Sequence, residues 1–292
     1  MPRLGIHASI ARGFSGALAE GLALHAESLQ IFSKTASQWV GKALDSADVA
    51  AFREYHASCN ISPIAVHDSY LINLASPDKT LWEKSIRALR DELERTDLLG
   101  LDYLVVHPGA HVGTGEEEGL KRIASKLNEV TKLGKPIQSR LLLETTAGQG
   151  TNLGYCFEHL KILIDASPQE LKIGVCLDTC HVVAAGYPLS PAANYHATMR
   201  KFDDVVGINN LHFFHINDSM KPLASRLDRH AHLGLGHVGE AGFMELVNDP
   251  RFINHGMVLE TAKGSCDGEL MDLVNLRFLK KLLKLSTGLL QT

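Results

Sequence analysis

Apolar residues along this chain fall into short runs at near-regular intervals. Residues 4–7, 28–32, 63–66, 102–106, 140–143, 173–177, 210–214 and 257–259 each read as a strand too apolar to keep a wet face. Most are followed by a longer stretch with apolar positions at helical spacing, over 14–25, 45–59, 79–99, 116–133, 155–165, 240–247 and 268–285. Eight strand–helix units with no linker between them predict an α/β fold, a TIM (β/α)8 barrel in which residues 1–292 form a single domain. An open doubly wound sheet also alternates strands and helices, but it would not gather eight strand ends around one centre. The one long irregular stretch is 217–239, and loops of that length are more often functional than connecting.

Seven of the eight strands end in an ionisable residue: His7, His67, His107, Glu144, Asp178, His215 and Glu260. In a parallel barrel those ends share one rim, where such enzymes keep their chemistry. A carboxylate at the end of a buried strand is costly unless it is paired or bound to a cation. Glu144, Asp178, His215 and Glu260 therefore cannot sit close together without positive charge between them. A second group, Asp228 and His230, stands two residues apart in the long loop, so the pair points the same way in an extended segment. With His181 it makes three mixed nitrogen and oxygen ligands, a catalytic zinc arrangement with an open position. The number of imidazoles favours zinc or manganese over magnesium.

The remaining histidines have plainer readings. No motif claims His7, so it reads as a hydrogen-bonded structural residue. His25, His56, His159 and His196 fall on helix surfaces and read as solvated, and His232, His237 and His255 are left unassigned.

Hydrophobic content of 45% and charged content of 21% are ordinary for a soluble globular chain. No run is long and apolar enough to span a bilayer, and the N-terminus leads straight into a strand rather than a signal peptide. The 5 Cys contain no Cys-x-x-Cys pair, which suggests reduced thiols and a cytoplasmic setting. A net charge of -4 gives no hint of a nucleic-acid partner, but it leaves out any bound metal.

The ordered segments Val66-His67-Asp68-Ser69-Tyr70-Leu71-Ile72-Asn73-Leu74, Val106-His107-Pro108-Gly109, Leu143-Glu144-Thr145-Thr146-Ala147-Gly148-Gln149-Gly150 and Leu177-Asp178-Thr179-Cys180-His181 resemble the endonuclease IV family of abasic-site DNA repair enzymes. So do His215-Ile216-Asn217-Asp218-Ser219, Asp228-Arg229-His230 and Leu259-Glu260-Thr261. The resemblance covers nearly the whole chain. It implies a TIM barrel with three zinc ions, manganese being possible at one position. It also implies cleavage of the phosphodiester 5′ to an abasic sugar in duplex DNA, and trimming of blocked 3′ ends.

Residue by residue, the resemblance implies that His67, His107 and Glu144 hold a first ion. Glu144 bridges to a second, also held by Asp178, His215 and Glu260, and His181, Asp228 and His230 hold a third. Two metals can clamp an in-line displacement at phosphorus, so Glu144 and Glu260 are the candidate catalytic carboxylates, with Glu260 orienting the attacking water. The resemblance puts Tyr70 and Leu71 in the base stack as an apolar wedge, and Lys34, Ser37, Gln149 and Arg229 at the DNA interface. Three divalent ions would add six positive charges to a net -4, focused at the rim. Affinity for undamaged duplex is then expected to be modest. The chain is expected to act as a monomer, on DNA and not on membranes.

Two positions depart from the family pattern. Ser37 stands where an arginine often precedes the Gln-Trp pair, and Gly234-Leu235-Gly236 stands where Gly-Glu-Gly is common. The rival reading is a metal-dependent sugar isomerase or epimerase of similar barrel fold. Such an enzyme shares the Glu, Asp, His, Glu set but needs neither a third metal cluster nor the Tyr70-Leu71 loop. A non-catalytic damage binder would be expected to have lost a ligand, and none of the nine is missing.

Overall fold

The computed structural model of the chain describes residues 1–289. Eight parallel strands close into a barrel: β1 (Arg3–His7), β2 (Ser28–Phe32), β3 (Ile64–His67), β4 (Tyr103–Val106), β5 (Arg140–Glu144), β6 (Gly174–Asp178), β7 (Leu211–His215) and β8 (Gly256–Leu259). Each pairs with its neighbours in sequence, and β1 pairs with β8 to complete the ring. This is the predicted TIM barrel.

Helices pack around the outside. They are α1 (Gly13–Ala23), α2 (Ser46–Ser58), α3 (Lys79–Leu99), α4 (Glu116–Val130), α5 (Phe157–Ala166), α6 (Thr179–Ala185), α7 (Ala192–Val205), α8 (Glu240–Asn248) and α9 (Met271–Leu289). Their boundaries follow local chemistry. Asp45 caps α2 by accepting from the backbone N–H of Ala47 and Asp48, and Asp78 caps α3 through Leu81. Gly100 ends α3 in the left-handed conformation that glycine adopts freely. Among the described residues, none of the helices is long and apolar enough to cross a membrane.

The two faces of each strand bury different things. One large core, which includes Leu4, Ile6, Leu29, Ile31, Val66, Leu104 and Leu143, lies between strands and helices. A small second core fills the lumen: Ala65, Val105, Leu142, Cys176, Phe213 and Val258, one from each of β3 to β8. Side chains alternate along a strand. The residues two steps beyond that lumen layer therefore also point inward, at the C-terminal mouth. They are His67, His107, Glu144, Asp178, His215 and Glu260. The barrel register alone brings six predicted ligands into one ring.

The structure adds elements that the periodicity does not reveal. The crossover from β6 to β7 carries α6 and α7, neither of which is among the predicted helices, although α7 buries Tyr195, Thr198, Met199 and Phe202 at helical spacing. Most of α6 is buried, so it has no polar face to set a helical period. The stretch 217–239 is not wholly irregular: Asp218–Ser219 and His230–Ala231 pair as a short antiparallel ribbon. The last helix begins at Met271, because Ser265–Cys266 and Glu269–Leu270 form a hairpin in front of it. Its turn, Asp267-Gly268, has positive φ at both positions, as a two-residue hairpin demands.

Candidate metal centre

Glu144 is the hub of the rim. Its carboxylate is fully buried, and its two oxygens face different partners. Oε2 lies 3.1 Å from His67 Nε2 and 3.2 Å from His107 Nε2. Oε1 lies 3.0 Å from His215 Nδ1 and 3.1 Å from His181 Nδ1. His215 Nδ1 also stands 3.1 Å from Glu260 Oε2 and 4.0 Å from Asp178 Oδ2. In each of two groups, His67, His107 and Glu144, and Glu144, Asp178, His215 and Glu260, the ligand-type atoms lie within 4.8 Å of one another. Two metal–ligand bonds of roughly 2.0–2.2 Å span most of that distance. The first two expected ligand sets are thus brought together.

The third set meets from two directions. Asp178 caps α6 by accepting from the backbone N–H of His181 at 2.8 Å, so the imidazole is delivered one helical turn after the carboxylate. The 218–219/230–231 ribbon brings the long loop back over the rim. His181 Nε2 then lies 3.1 Å from Asp228 Oδ2, His230 Nε2 3.3 Å from Asp228 Oδ1, and the two Nε2 atoms 3.4 Å apart. The structure also brings Asp178 within reach of His181 and His230, and Cys180 within reach of Asp228 and His230. Neither of these extra approaches was expected for the third group.

Several imidazoles have their tautomer set from behind. His181 Nδ1 faces the carbonyl of Thr145 at 2.7 Å, and His67 Nδ1 faces the carbonyl of Asp68 at 3.0 Å. A carbonyl only accepts, so each Nδ1 carries the proton and each Nε2 is left to bind.

The electrostatics point to a cation. Burial alone would depress the His67 imidazolium, but the Glu144 carboxylate outweighs it and raises the group to about 10. His230 rises to about 9 against its burial penalty, through Asp178 and Asp228. Burial would push the Glu144 and Glu260 carboxyls up, yet the surrounding imidazoles hold both well below the usual range. These side chains are arranged to surround positive charge. Divalent ions would supply it with every imidazole neutral.

The rim opens into a cavity of about 680 Å³, lined in part by His67, Tyr70, His107, Glu144, Asp228 and Glu260. Tyr70 is 71% exposed at its mouth, its ring edge-on to Phe32 at 5.6 Å. Leu71, its expected partner in the wedge, is half-buried and is not among the cavity-lining residues. Ser69 Oγ donates to the carbonyl of Ala36 at 2.6 Å, latching the Tyr70 loop to the loop that carries Ser37, which is exposed. Gln149 Oε1 accepts from the backbone N–H of Asp228 at 3.0 Å, so it supports the third group directly, and Arg229 beside it is exposed.

Lys34, expected at the DNA interface, lines the same cavity, but its charge is paired within the protein. It is 5% exposed, and its ammonium donates to Glu92, with Asp91 at 3.5 Å. Ser33 and Arg95 join the same network, which anchors the loop after β2 to α3. His159 is not solvated but buried, 3.4 Å from Glu116 and beneath the Tyr155 ring. His232, His237 and His255 stand outside the metal groups: His232 meets Asn275, His255 meets the carbonyl of Leu211, and His237 is exposed. His7 has the structural role expected of it, between Gln30 and Glu260.

Gln30 was missed. It is fully buried on the inner face of β2 and touches His7, His215 and Glu260. Its only trace in the sequence is one amide inside an otherwise apolar run, Leu29-Gln30-Ile31-Phe32.

Comparison with known proteins agrees with this geometry. The family model described as a xylose isomerase-like TIM barrel matches residues 21–282. A probable endonuclease 4 of Chloroflexus aggregans is 47% identical over 288 residues, covering 99% of this chain and all of that protein. The crystal structure of endonuclease IV from Thermus thermophilus superposes with a TM-score of 0.85 at 38% identity, covering 97% of this chain and 99% of that one. A D-tagatose 3-epimerase-like protein superposes at a TM-score of 0.73 but only 19% identity, covering 99% of each chain, a likeness of fold alone. By full-length identity and by the nine side chains gathered at its rim, this chain belongs to the endonuclease IV family.

Proposed function

We propose that this protein is a metal-dependent endodeoxyribonuclease that cleaves the phosphodiester 5′ to abasic sites in duplex DNA and trims blocked 3′ ends. The observation that carries the reading is the convergence of nine ligand-type side chains, from six strands, one helix and one loop, beneath one cavity. Three zinc ions, with manganese possible at one of them, fit the mixture of five imidazoles and four carboxylates. His67, His107 and Glu144 would hold one, and Glu144, Asp178, His215 and Glu260 the second. His181, Asp228 and His230 would hold the third. When bound, such ions supply Lewis acidity toward a phosphodiester and its attacking water.

The protein's own groups do the rest. Glu260 is the most exposed carboxylate of the second set at the cavity, with 17% of its side chain exposed. Burial would raise its carboxyl, but the positive charge that the rim is arranged to surround keeps it ionised, so it would orient a water by accepting its hydrogen bond. As the water oxygen bonds to phosphorus its proton passes to the Glu260 carboxylate, the bond from phosphorus to the 3′ oxygen breaks, and that oxygen takes a proton from solvent to leave as the 3′-hydroxyl. Asp228 and His230 stand on the loop side, where they would hold an ion against the leaving oxygen. Tyr70 presents an aromatic face at the mouth, suited to filling the stack beside a missing base. Leu71, Ser37, Gln149 and Arg229 would be further contacts to the DNA, Arg229 to a phosphate, and Lys34 supports the loop beneath. The protein is taken to act as a monomer in the cytoplasm, where its five unpaired cysteines would stay reduced.

The deciding experiment is incision of a duplex with a single abasic site by the zinc-loaded protein, run beside a panel of ketoses. Strand cleavage leaving a 3′-hydroxyl is expected. Ketose epimerisation without incision would overturn the reading in favour of a sugar epimerase.

A further inference from the structure

The amide of Gln30 lies between two of the proposed ligands of the second ion. Its Oε1 is 2.7 Å from His215 Nε2. Its Nε2 is 2.6 Å from Glu260 Oε1 and 3.0 Å from His7 Nδ1. Only one orientation of the amide satisfies all three. An ionised carboxylate accepts and never donates, so the atom facing Glu260 is the NH2 group. The atom facing His215 is then the carbonyl oxygen, and His215 Nε2 carries the proton. His215 Nδ1, 3.0 Å from Glu144 and 3.1 Å from Glu260, is left with a free lone pair on the ligand side. His7 completes the set by accepting from Gln30 through Nδ1.

We propose that Gln30 is a positioning residue for the second ion, fixing the tautomer of His215 and the rotamer of Glu260 with one amide. This rests on the metal reading of the rim. The position suits that role, since Gln30 is 0% exposed and pairs in register with His7 on β1. A buried amide that meets three partners has no freedom to turn. Leucine there would match the size but leave the His215 N–H unmet and Glu260 free to swing. Outer partners of this kind typically alter metal affinity by about 10- to 100-fold.

The experiment strips the full chain with a chelator and titrates zinc back against a competing chromophore. In the parent, three binding steps are expected. In Gln30→Leu, one step should weaken by about 10- to 100-fold while the other two are unchanged. In parallel, ring ¹⁵N NMR of the zinc-loaded parent should show His215 protonated at Nε2 and bound through Nδ1. Unchanged affinity for all three ions in Gln30→Leu overturns the proposal. So does a His215 ring in the parent that binds through Nε2, a measurement that stands even if the variant does not fold. A parent that takes up no zinc would defeat the metal reading first, and is seen before any variant is made.

Discussion

Glu144 and Glu260 are both carboxylates on neighbouring ligand sets, yet their surroundings predict different losses. Each Glu144 oxygen serves a separate group of imidazoles, and the side chain is sealed from solvent. Glu144→Gln removes one charge from two ligand sets, so zinc content should fall by about two ions and incision should drop below detection. Glu260 is partly open to the cavity and is steadied by the Gln30 amide. Glu260→Gln should keep most of the metal while the rate falls by about 10²- to 10⁴-fold, the usual worth of a positioned acid–base group. Zinc analysis and single-turnover incision on the same preparations check both. A near-normal rate for Glu260→Gln would remove it from the water-orienting role.

A helix and a loop, rather than strands, complete the third ligand set, and one side chain holds the decisive loop. Asp218 is fully buried and accepts four backbone N–H groups: Ser219 at 2.8 Å, Gly234 at 2.9 Å, Gly236 at 3.0 Å and Val238 at 2.9 Å. The two glycines around Leu235 are required here. Gly234 has a φ of +81°, and a Cβ on Gly236 would fall 2.4 Å from the carbonyl oxygen of Ser219. Leu235, where the family often has a glutamate, is 75% exposed and touches none of this. Asp218→Ala orphans four backbone donors, and the buried pair, Ser219 and Val238, costs about 1–3 kcal/mol each. The expected result is a stability loss of at least about 3 kcal/mol by urea unfolding, with loss of the ion held by Asp228 and His230. Full retention of three ions would show that the loop does not depend on this carboxylate. The Tyr70 loop gives a separate check. Tyr70→Ala with Leu71→Ala should slow abasic incision at least tenfold while metal content stays intact. A large fall in melting temperature would mark the pair as core instead.

At the scale of the whole molecule, the barrel and the proposed ions would support each other. The mouth concentrates carboxylates and imidazoles that repel or compete for protons when no cation is present, whereas the cores beneath are apolar and complete. Stripping the metal should therefore lower the melting temperature without unfolding the barrel. Each ion present at about 1,000 times its Kd is worth about 4 kcal/mol. Calorimetry with and without chelator, beside elemental analysis, should find close to three ions per chain and a melting temperature that zinc restores. One ion per chain with full activity would sink the trinuclear arrangement. Three divalent ions would also take the net charge of -4 to +2, with the whole gain at the rim. That gives the mouth a focused attraction for phosphate on a mildly acidic protein.

The fold and the candidate ligands were legible in the sequence for one reason: seven of the eight short apolar runs stop at an ionisable residue, and a parallel barrel puts all such stops on one rim. His67, His107, Glu144, Asp178, His215 and Glu260 could be named from that rule, and His181, Asp228 and His230 from their spacing and the family resemblance. Three other things could not be read. Strands buried on both faces show no alternation, so nothing in Ser28-Leu29-Gln30-Ile31-Phe32 told which residues faced the lumen. Only ring closure gave Gln30 its parity and its three partners. The resemblance put Lys34 at the DNA interface, and it could not show that α3 supplies Glu92 as its counter-ion, a pairing across 58 residues that no local pattern encodes. Asp218 read as part of a motif, and its role in gathering four amides from up to 20 residues away exists only once the loop has closed on it. Local periodicity determined the elements and the class of chemistry. Long-range closure of the chain decided which polar groups inside it became partners.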